Sequence, residues 1–431
     1  MKKIILIFIG TLLLFSSCSK DYLDVNSDPS KVTSTDPKLL LTSAIVSSSY
    51  NRGGENSLYP SLFSNYVFGI DRQPATYSNY IVSAGDFDNI WKYGFYSNLL
   101  KNDYDLIQQS IAKNKPHYQA TGNILMALGM IEATDLWGDI PYSEAFKGLE
   151  LINPKFDDQQ SVYNSADQLL DQAIALLSGP NNGSALDAGA DLLYGGSVAK
   201  WKKLAYGLKA RNYLHLTKKL GNSYYQKAID AAMLSMTSAA DNASLSFGTS
   251  NNNSNPWYQY NINRGDVVVH DDFVAMLDAT TDPRKDFFVD ADGYVGSFYA
   301  STTSPVDILT YEEVKFILAE AKQALGQSPT ADFSAAVTAN VARVTGAAAD
   351  PAFVTSVTAD ESKSNIMQQK YIALFTSPEG WNDWRRTGLP ALNPNTGTQI
   401  PRSLFYSAAE QQANANCPAN STVFRRVWWD N

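Results

Sequence analysis

The side chains best suited to catalysis are sparse and scattered. The 431-residue chain holds three histidines, His117, His215 and His270, far apart and in unrelated local contexts. None belongs to an H-E-x-x-H helix, and no G-x-S-x-G elbow, P-loop or G-x-G-x-x-G fingerprint occurs. His215 follows Arg211 by one helical turn, which suits a packed or surface pair better than a catalytic one. Carboxylates lie close in sequence at Asp86 and Asp88, Asp271 and Asp272, and Glu312 and Glu313. Glycoside hydrolysis needs two carboxyl groups facing each other across a bond, about 5 to 9 Å apart. Neighbours on one helix do not supply that geometry, and Glu312 and Glu313 have a structural use at a helix N-terminus. Asp290, Asp292 and Gly293 echo a calcium loop but lack its acidic first and last positions, so they read as a turn. The expectation is a protein without enzymatic activity, cofactor or metal site; a helical glycosidase is the alternative.

Aromatic residues are more suggestive. There are 24 tyrosines and 8 tryptophans, many of them off the helical stripes. Tyr59, Tyr66, Tyr77 and Tyr80 flank the polar run Asp71-Arg72-Gln73. Trp257, Tyr258 and Tyr260 follow Asn251 to Pro256 and precede Arg264. A flat ring can lie against the apolar face of a sugar while Asp, Asn and Arg bind its hydroxyls, and Tyr adds a polar tip. The candidate ligand residues are therefore Asp71, Arg72, Tyr77, Tyr80, Trp257, Tyr258, Tyr260 and Arg264. The structural alternative is that these rings pin loops to the body of the protein.

The elements that must hold them are helices. Asp36-Pro37 pairs an N-cap with proline at the first helical position and carries Leu40 and Ala44 inward. Phe87, Trp91, Phe95 and Leu99 recur every four residues. Tyr163, Ala166, Leu169, Leu170, Ala173, Ile174 and Leu177 form a one-sided stripe. Ser197 can cap a helix burying Trp201, Leu204 and Leu208, with Lys209 and Arg211 on its polar faces and a stop at Gly221. Thr310 and Glu313 fit a capping box ahead of Val314, Ile317, Leu318 and Ala321, closed by Gly326. Ala120, Ala127, Gly129 and Ala133 let a neighbour approach closely. Strand-like alternation is confined to Asp266–His270. The predicted fold class is mostly α, a tetratricopeptide-like helical-pair scaffold, though no clean 34-residue repeat is present. Three long irregular excursions, 51–83, 241–306 and 387–431, interrupt it, and loops of that length are usually functional.

The front end carries a different message. Lys2 and Lys3 precede an apolar run from Ile4 to Phe15, too short to span a bilayer, and then Ser16, Ser17 and Cys18. Residues 1–17 read as a leader, 18–33 as an extended tether, and 34–431 as the helical domain. A plain leader fits the same pattern, with Cys18 there by chance. The formal charge is −9, a poor match for nucleic acid, where phosphate neutralisation dominates affinity. Cys18 and Cys417 are the only cysteines, so stability must come from a core.

Ser16-Ser17-Cys18 resembles a bacterial lipobox, which implies cleavage before Cys18 and a diacylglyceryl group on its sulfur. Several longer strings are more specific. They are Cys18 to Asp24, Thr134-Asp135-Leu136-Trp137-Gly138-Asp139-Ile140-Pro141-Tyr142, Gln369 to Phe375, and Glu379-Gly380-Trp381-Asn382-Asp383-Trp384-Arg385-Arg386-Thr387-Gly388. Ile400-Pro401-Arg402 and Arg426-Val427-Trp428-Trp429-Asp430 complete the set. In this order the chain resembles the SusD/RagB family of outer-membrane lipoproteins from leader to last residue. The resemblance implies a nutrient-binding protein, lipid-anchored on the outer membrane and facing the cell exterior. It further implies a lid on a SusC-like TonB-dependent transporter, with an oligosaccharide, or in some members a peptide, as cargo. Trp381, Trp384, Arg385 and Arg386 read as a buried structural network, and the resemblance carries over no ligand residue. The tether at 19–33 would let the lid swing about its anchor.

Overall fold

The computed structural model describes residues 35–431; the leader, Cys18 and the tether lie outside the described residues. Packed helix pairs form the body. Leu100–Ala112 packs on Pro116–Trp137, which packs in turn on Gln159–Ser178; Val198–His215 packs on Asn222–Ala232, and Tyr311–Ala324 on Thr330–Thr345. Of the caps read from sequence, Thr310 accepts from the Glu313 amide, whereas Ser197 makes no side-chain cap bond; Asp158 and Ser377, which the sequence reading did not single out, accept from the Ser161 and Glu379 amides. The stripe of the Gln159–Ser178 helix, with Tyr163, Ala166, Leu170, Ala173 and Leu177, is buried. Close approach is real at Gly129, where a Cβ would lie 2.2 Å from Leu99 Cδ2. No helix among the described residues is long and apolar enough to cross a membrane.

The segment 87–99 is an unusual piece of helix. Phe87, Trp91, Phe95 and Leu99 are all buried, as their spacing predicts, but Ile90–Leu99 is a π-helix between a 3₁₀ turn and the Leu100–Ala112 helix. π-Helical turns are rare and concentrate at functional sites.

Two of the three expected excursions are more regular than their composition suggests. In the first, helix Pro37–Gly53 is followed by Glu55–Phe63, strand Val67–Gly69 and helix Arg72–Ser78. Periodicity fails as a guide there because Glu55–Phe63 is buried all round, polar residues included. Asn56 Nδ2 donates to Glu132 Oε2 at 2.9 Å, and Ser57 Oγ donates to the Thr376 carbonyl. The second contains helices Pro256–Asn263 and Asp271–Asp278. Asn255 caps the first of these, accepting from Trp257 and Tyr258 amides, with Pro256 at the first helical position. The third, 387–431, is irregular apart from the short helix Ala408–Ala413 and a final 3₁₀ turn at Trp428–Asp430. Asp290 accepts from the Asp292 and Tyr294 amides, a turn as expected.

The alternation at Asp266–His270 is a strand. Val267–Val269 pairs antiparallel with Val67–Gly69 in the register Val67↔Val269 and Gly69↔Val267. That pairing fastens the first excursion to the second. A second two-stranded ribbon joins Ala243–Leu245 to Val306–Leu309.

The tryptophan–arginine strings lie in the core. The Arg385 guanidinium lies 3.7 Å from the Trp381 ring and 4.8 Å from Trp429, and donates to the Asp135 and Arg402 carbonyls at 2.7 Å. Arg386 pairs with Glu320 at 2.5 Å and Asp383 at 2.7 Å. Arg211 and Lys209, expected on polar faces, are buried instead. Arg211 forks onto Glu313 and also faces Glu379 at 3.6 Å, and Lys209 pairs with Asp167 at 2.9 Å. His215 sits between Glu379 and Asp135, so its relation to Arg211 is a packed one.

Candidate functional site

The strand pairing sets two chain segments against each other across an open cleft of about 870 Å³, within the usual size of ligand sites. The end of Pro37–Gly53, the helix Glu55–Phe63, the π-helix and the helices Arg72–Ser78 and Pro256–Asn263 line it. Gly94 allows the π-helix to lie against Pro37–Gly53, since a Cβ there would stand 2.6 Å from Asn51 Oδ1.

Tyr59 and Tyr77 form the aromatic floor, with ring centroids 5.6 Å apart. Both hydroxyls donate to Asp86, Tyr59 to its carbonyl and Tyr77 to its carboxylate, each at 2.8 Å. Asp86 also accepts from the Ser83 amide and hydroxyl, so three donors occupy its carboxylate. Burial, followed by the Glu55 charge for Tyr59 and the bond to Asp86 for Tyr77, pushes both phenols up and keeps them protonated. From the second segment, Tyr260 packs against Trp257 at 6.1 Å and lies under the Arg264 guanidinium at 5.4 Å. Arg264 is held by Asp266 at 2.8 Å and by Gln73 Oε1 at 2.7 Å, a bond that bridges the two segments.

Of the eight residues singled out from sequence, Tyr77, Trp257, Tyr260 and Arg264 line this cleft together. Trp257 is a wall more than a platform: it is 4% exposed, and its Nε1 donates to Ser57 Oγ at 3.0 Å. The other four lie outside the lining. Asp71 caps the Arg72–Ser78 helix through the Arg72 amide, at 2.8 Å. Arg72 is exposed and reaches the Arg264 carbonyl at 3.4 Å. Tyr80 is buried against Phe63, its hydroxyl accepting from the Asn395 amide at 2.9 Å. Tyr258 is half-buried in the same helix as Trp257. Tyr66, from the same aromatic run, is in the core and stacked on Tyr371 at 4.2 Å.

The cleft also contains residues that the sequence did not single out. Tyr50 and Tyr93 line it and are 51% and 53% exposed. Asn89, Asn98, Gln259 and Asn263 add amides, which both donate and accept. Tyr93 and Asn98 lie off the Phe87–Leu99 stripe, which is the one trace of them in the pattern. Glu55 gives no such trace. The arrangement is rich in rings and amides, with Glu55, Asp86 and Arg264 as its only charged lining residues. It is suited to hold a polyhydroxylated ligand. Among the described residues no group of acidic, histidine or cysteine side chains is placed to hold a metal ion.

Residues 29–406 match a family profile, SusD-like, described as starch-binding and associating with the outer membrane. No curated protein sequence matches the chain. Among solved structures, a SusD/RagB family protein from Bacteroides thetaiotaomicron is similar with a TM-score of 0.78 and 24% identity, over 92% of this chain and 99% of its own. A SusD homologue from Bacteroides fragilis is similar at TM-score 0.74 and 22% identity, over 92% and 99%. A chitin-binding SusD homologue from Flavobacterium johnsoniae reaches TM-score 0.75 at 19% identity, over 92% and 97%.

Proposed function

This chain belongs to the SusD-like family, described as starch-binding and associating with the outer membrane, and from that premise we propose that it captures an oligosaccharide in the cleft between Tyr59–Tyr77 and Tyr260. The observation that carries the reading is the convergence of two distant aromatic segments on one amide-rich cleft. Rings supply faces for sugar stacking, and amides supply paired donors and acceptors at fixed positions. Binding without cleavage is the reading that fits the carboxylates. Asp86 is already occupied by three donors, which leaves Glu55 without a partner acid for glycoside chemistry.

The captured glycan would pass to a SusC-like TonB-dependent transporter, with this protein acting as its lid. A lipid on Cys18 would hold it at the outer membrane, facing the exterior; one acyl chain anchors marginally and two or more hold stably. Calorimetry of the mature chain against neutral oligosaccharides and against peptides tests the cargo. Binding of a glycan, weakened about tenfold in Tyr77→Ala and Tyr260→Ala, is the expected result. Binding of peptides alone, or steady release of smaller sugars, overturns it. Mass spectrometry of the mature N-terminus is expected to show acylated Cys18; an unmodified terminus there overturns the anchor.

A further inference from the structure

Charge accounting in the cleft leaves one group over. Asp86 is occupied by Tyr77 and Ser83, and Arg264 is occupied by Asp266 and Gln73. Glu55 lines the same cleft, and its carboxylate makes no hydrogen bond or ion pair among the described residues. It is nevertheless largely withdrawn from water, and that burial pushes its carboxyl up. A first-turn acid is favoured by the helix dipole, which accounts for the residue type at this position. It does not account for a half-buried, unpaired carboxylate in a cleft whose one lining cation, Arg264, is already held by Asp266 and Gln73.

The surroundings suit a cation. Glu55 and Tyr59 are one turn apart on the same helix face, and the Glu55 charge is felt by both Tyr59 and Tyr77. Tyr50 and Tyr93 add two well-exposed rings to the same lining. Ring faces and a carboxylate together make a favourable site for an ammonium group, through cation–π attraction and a charge-assisted hydrogen bond. A neutral hydroxyl satisfies the carboxylate's geometry but leaves its desolvation uncompensated.

Building on the glycan reading of the cleft, we infer that Glu55, in the cleft it shares with the Tyr59, Tyr50 and Tyr93 rings, forms a subsite for a protonated amine, so that the preferred cargo is an oligosaccharide carrying free amino sugars. Anionic glycans, such as uronates or sulfated chains, are disfavoured by the same charge.

The test is calorimetry at pH 6.5 with the mature chain, using chitopentaose, its fully deacetylated glucosamine pentamer, maltohexaose and trilysine as probes. The glucosamine pentamer is expected to bind about tenfold tighter than chitopentaose, and the advantage is expected to disappear in Glu55→Gln. The replacement keeps the side-chain volume and breaks no hydrogen bond or ion pair, so its unfolding midpoint should stay close to that of wild type. Equal or tighter binding of chitopentaose overturns the inference, as does an advantage that survives Glu55→Gln. Either result leaves the glycan reading standing. Binding of trilysine without the glucosamine pentamer overturns the amino-sugar assignment in favour of a peptide. Failure of all three glycans overturns the reading of the cleft, and this inference with it.

Discussion

The buried charge network offers a sharp test through pH. His215 is 2% exposed, with Nε2 at 2.8 Å from Glu379 and Nδ1 at 3.2 Å from Asp135. Burial opposes its charge, but the Asp135 and Glu379 carboxylates outweigh that and raise it from the ordinary 6.5 to about 9. A histidine whose folded value lies above its unfolded one stabilises fully below the unfolded value. That contribution is lost as pH rises from 6.5 through 9. At about 1.4 kcal/mol per pH unit, the gap between 6.5 and 9 corresponds to about 3 kcal/mol. Urea unfolding of wild type and His215→Gln between pH 6 and 9.5 isolates this contribution, because every other ionisable group is common to both proteins. The stability advantage of wild type is expected to shrink by about 3 kcal/mol across that range. With only three histidines in the chain, the imidazole can also be followed directly by NMR. A constant advantage, or one that grows with pH, refutes the paired, charged His215.

Two further changes separate packing from binding. Trp257→Ala is expected to destabilise the fold by about 3–5 kcal/mol, because the ring is buried and its N–H is bonded to Ser57; urea unfolding measures it. Arg386→Leu is expected to cost about 3–5 kcal/mol in the same assay, since Glu320, 1% exposed, would keep only Lys370 at 3.2 Å.

The helical scaffold was legible because its signals are local. Thr310 caps where a helix start is expected, and the stripe from Tyr163 to Leu177 faces inward. The candidate site was half legible for a related reason. Tyr77, Trp257, Tyr260 and Arg264 stood out by composition, but which rings face a cavity depends on tertiary packing. Tyr80 and Tyr66 have the same sequence context as Tyr77 and are in the core. The helix Glu55–Phe63 was hidden because it is surrounded. Asn56, Ser57 and Ser61 are buried beside Leu58 and Leu62, and a helix with polar residues on its buried faces shows no apolar stripe. Glu55 was hidden with it. Its significance lies in a bond it does not make, and spacing cannot report that.

The same dependence on tertiary closure makes Gly69 a test of how the site is held. Its amide donates to Ser78 Oγ at 2.7 Å, and its strand pairs with Val267. An added Cβ would stand 2.1 Å from the Pro74 carbonyl carbon and oxygen. That neighbour is backbone, so no side-chain rotation relieves the overlap. In Gly69→Ala either the Arg72–Ser78 helix lifts or the strand pairing slips. The lifted helix would take Gln73, Pro74 and Tyr77 out of the cleft, and the Gln73–Arg264 bridge would open with it. The helical pairs have their own cores and do not depend on this contact. Far-UV circular dichroism is therefore expected to change little, while glycan affinity measured by calorimetry falls at least about tenfold. Retained affinity would mean that the strand ribbon does not set the cleft. The convergence of the two aromatic segments would then have to be maintained by the Glu55–Phe63 and Pro256–Asn263 helices alone, through Trp257 and Ser57.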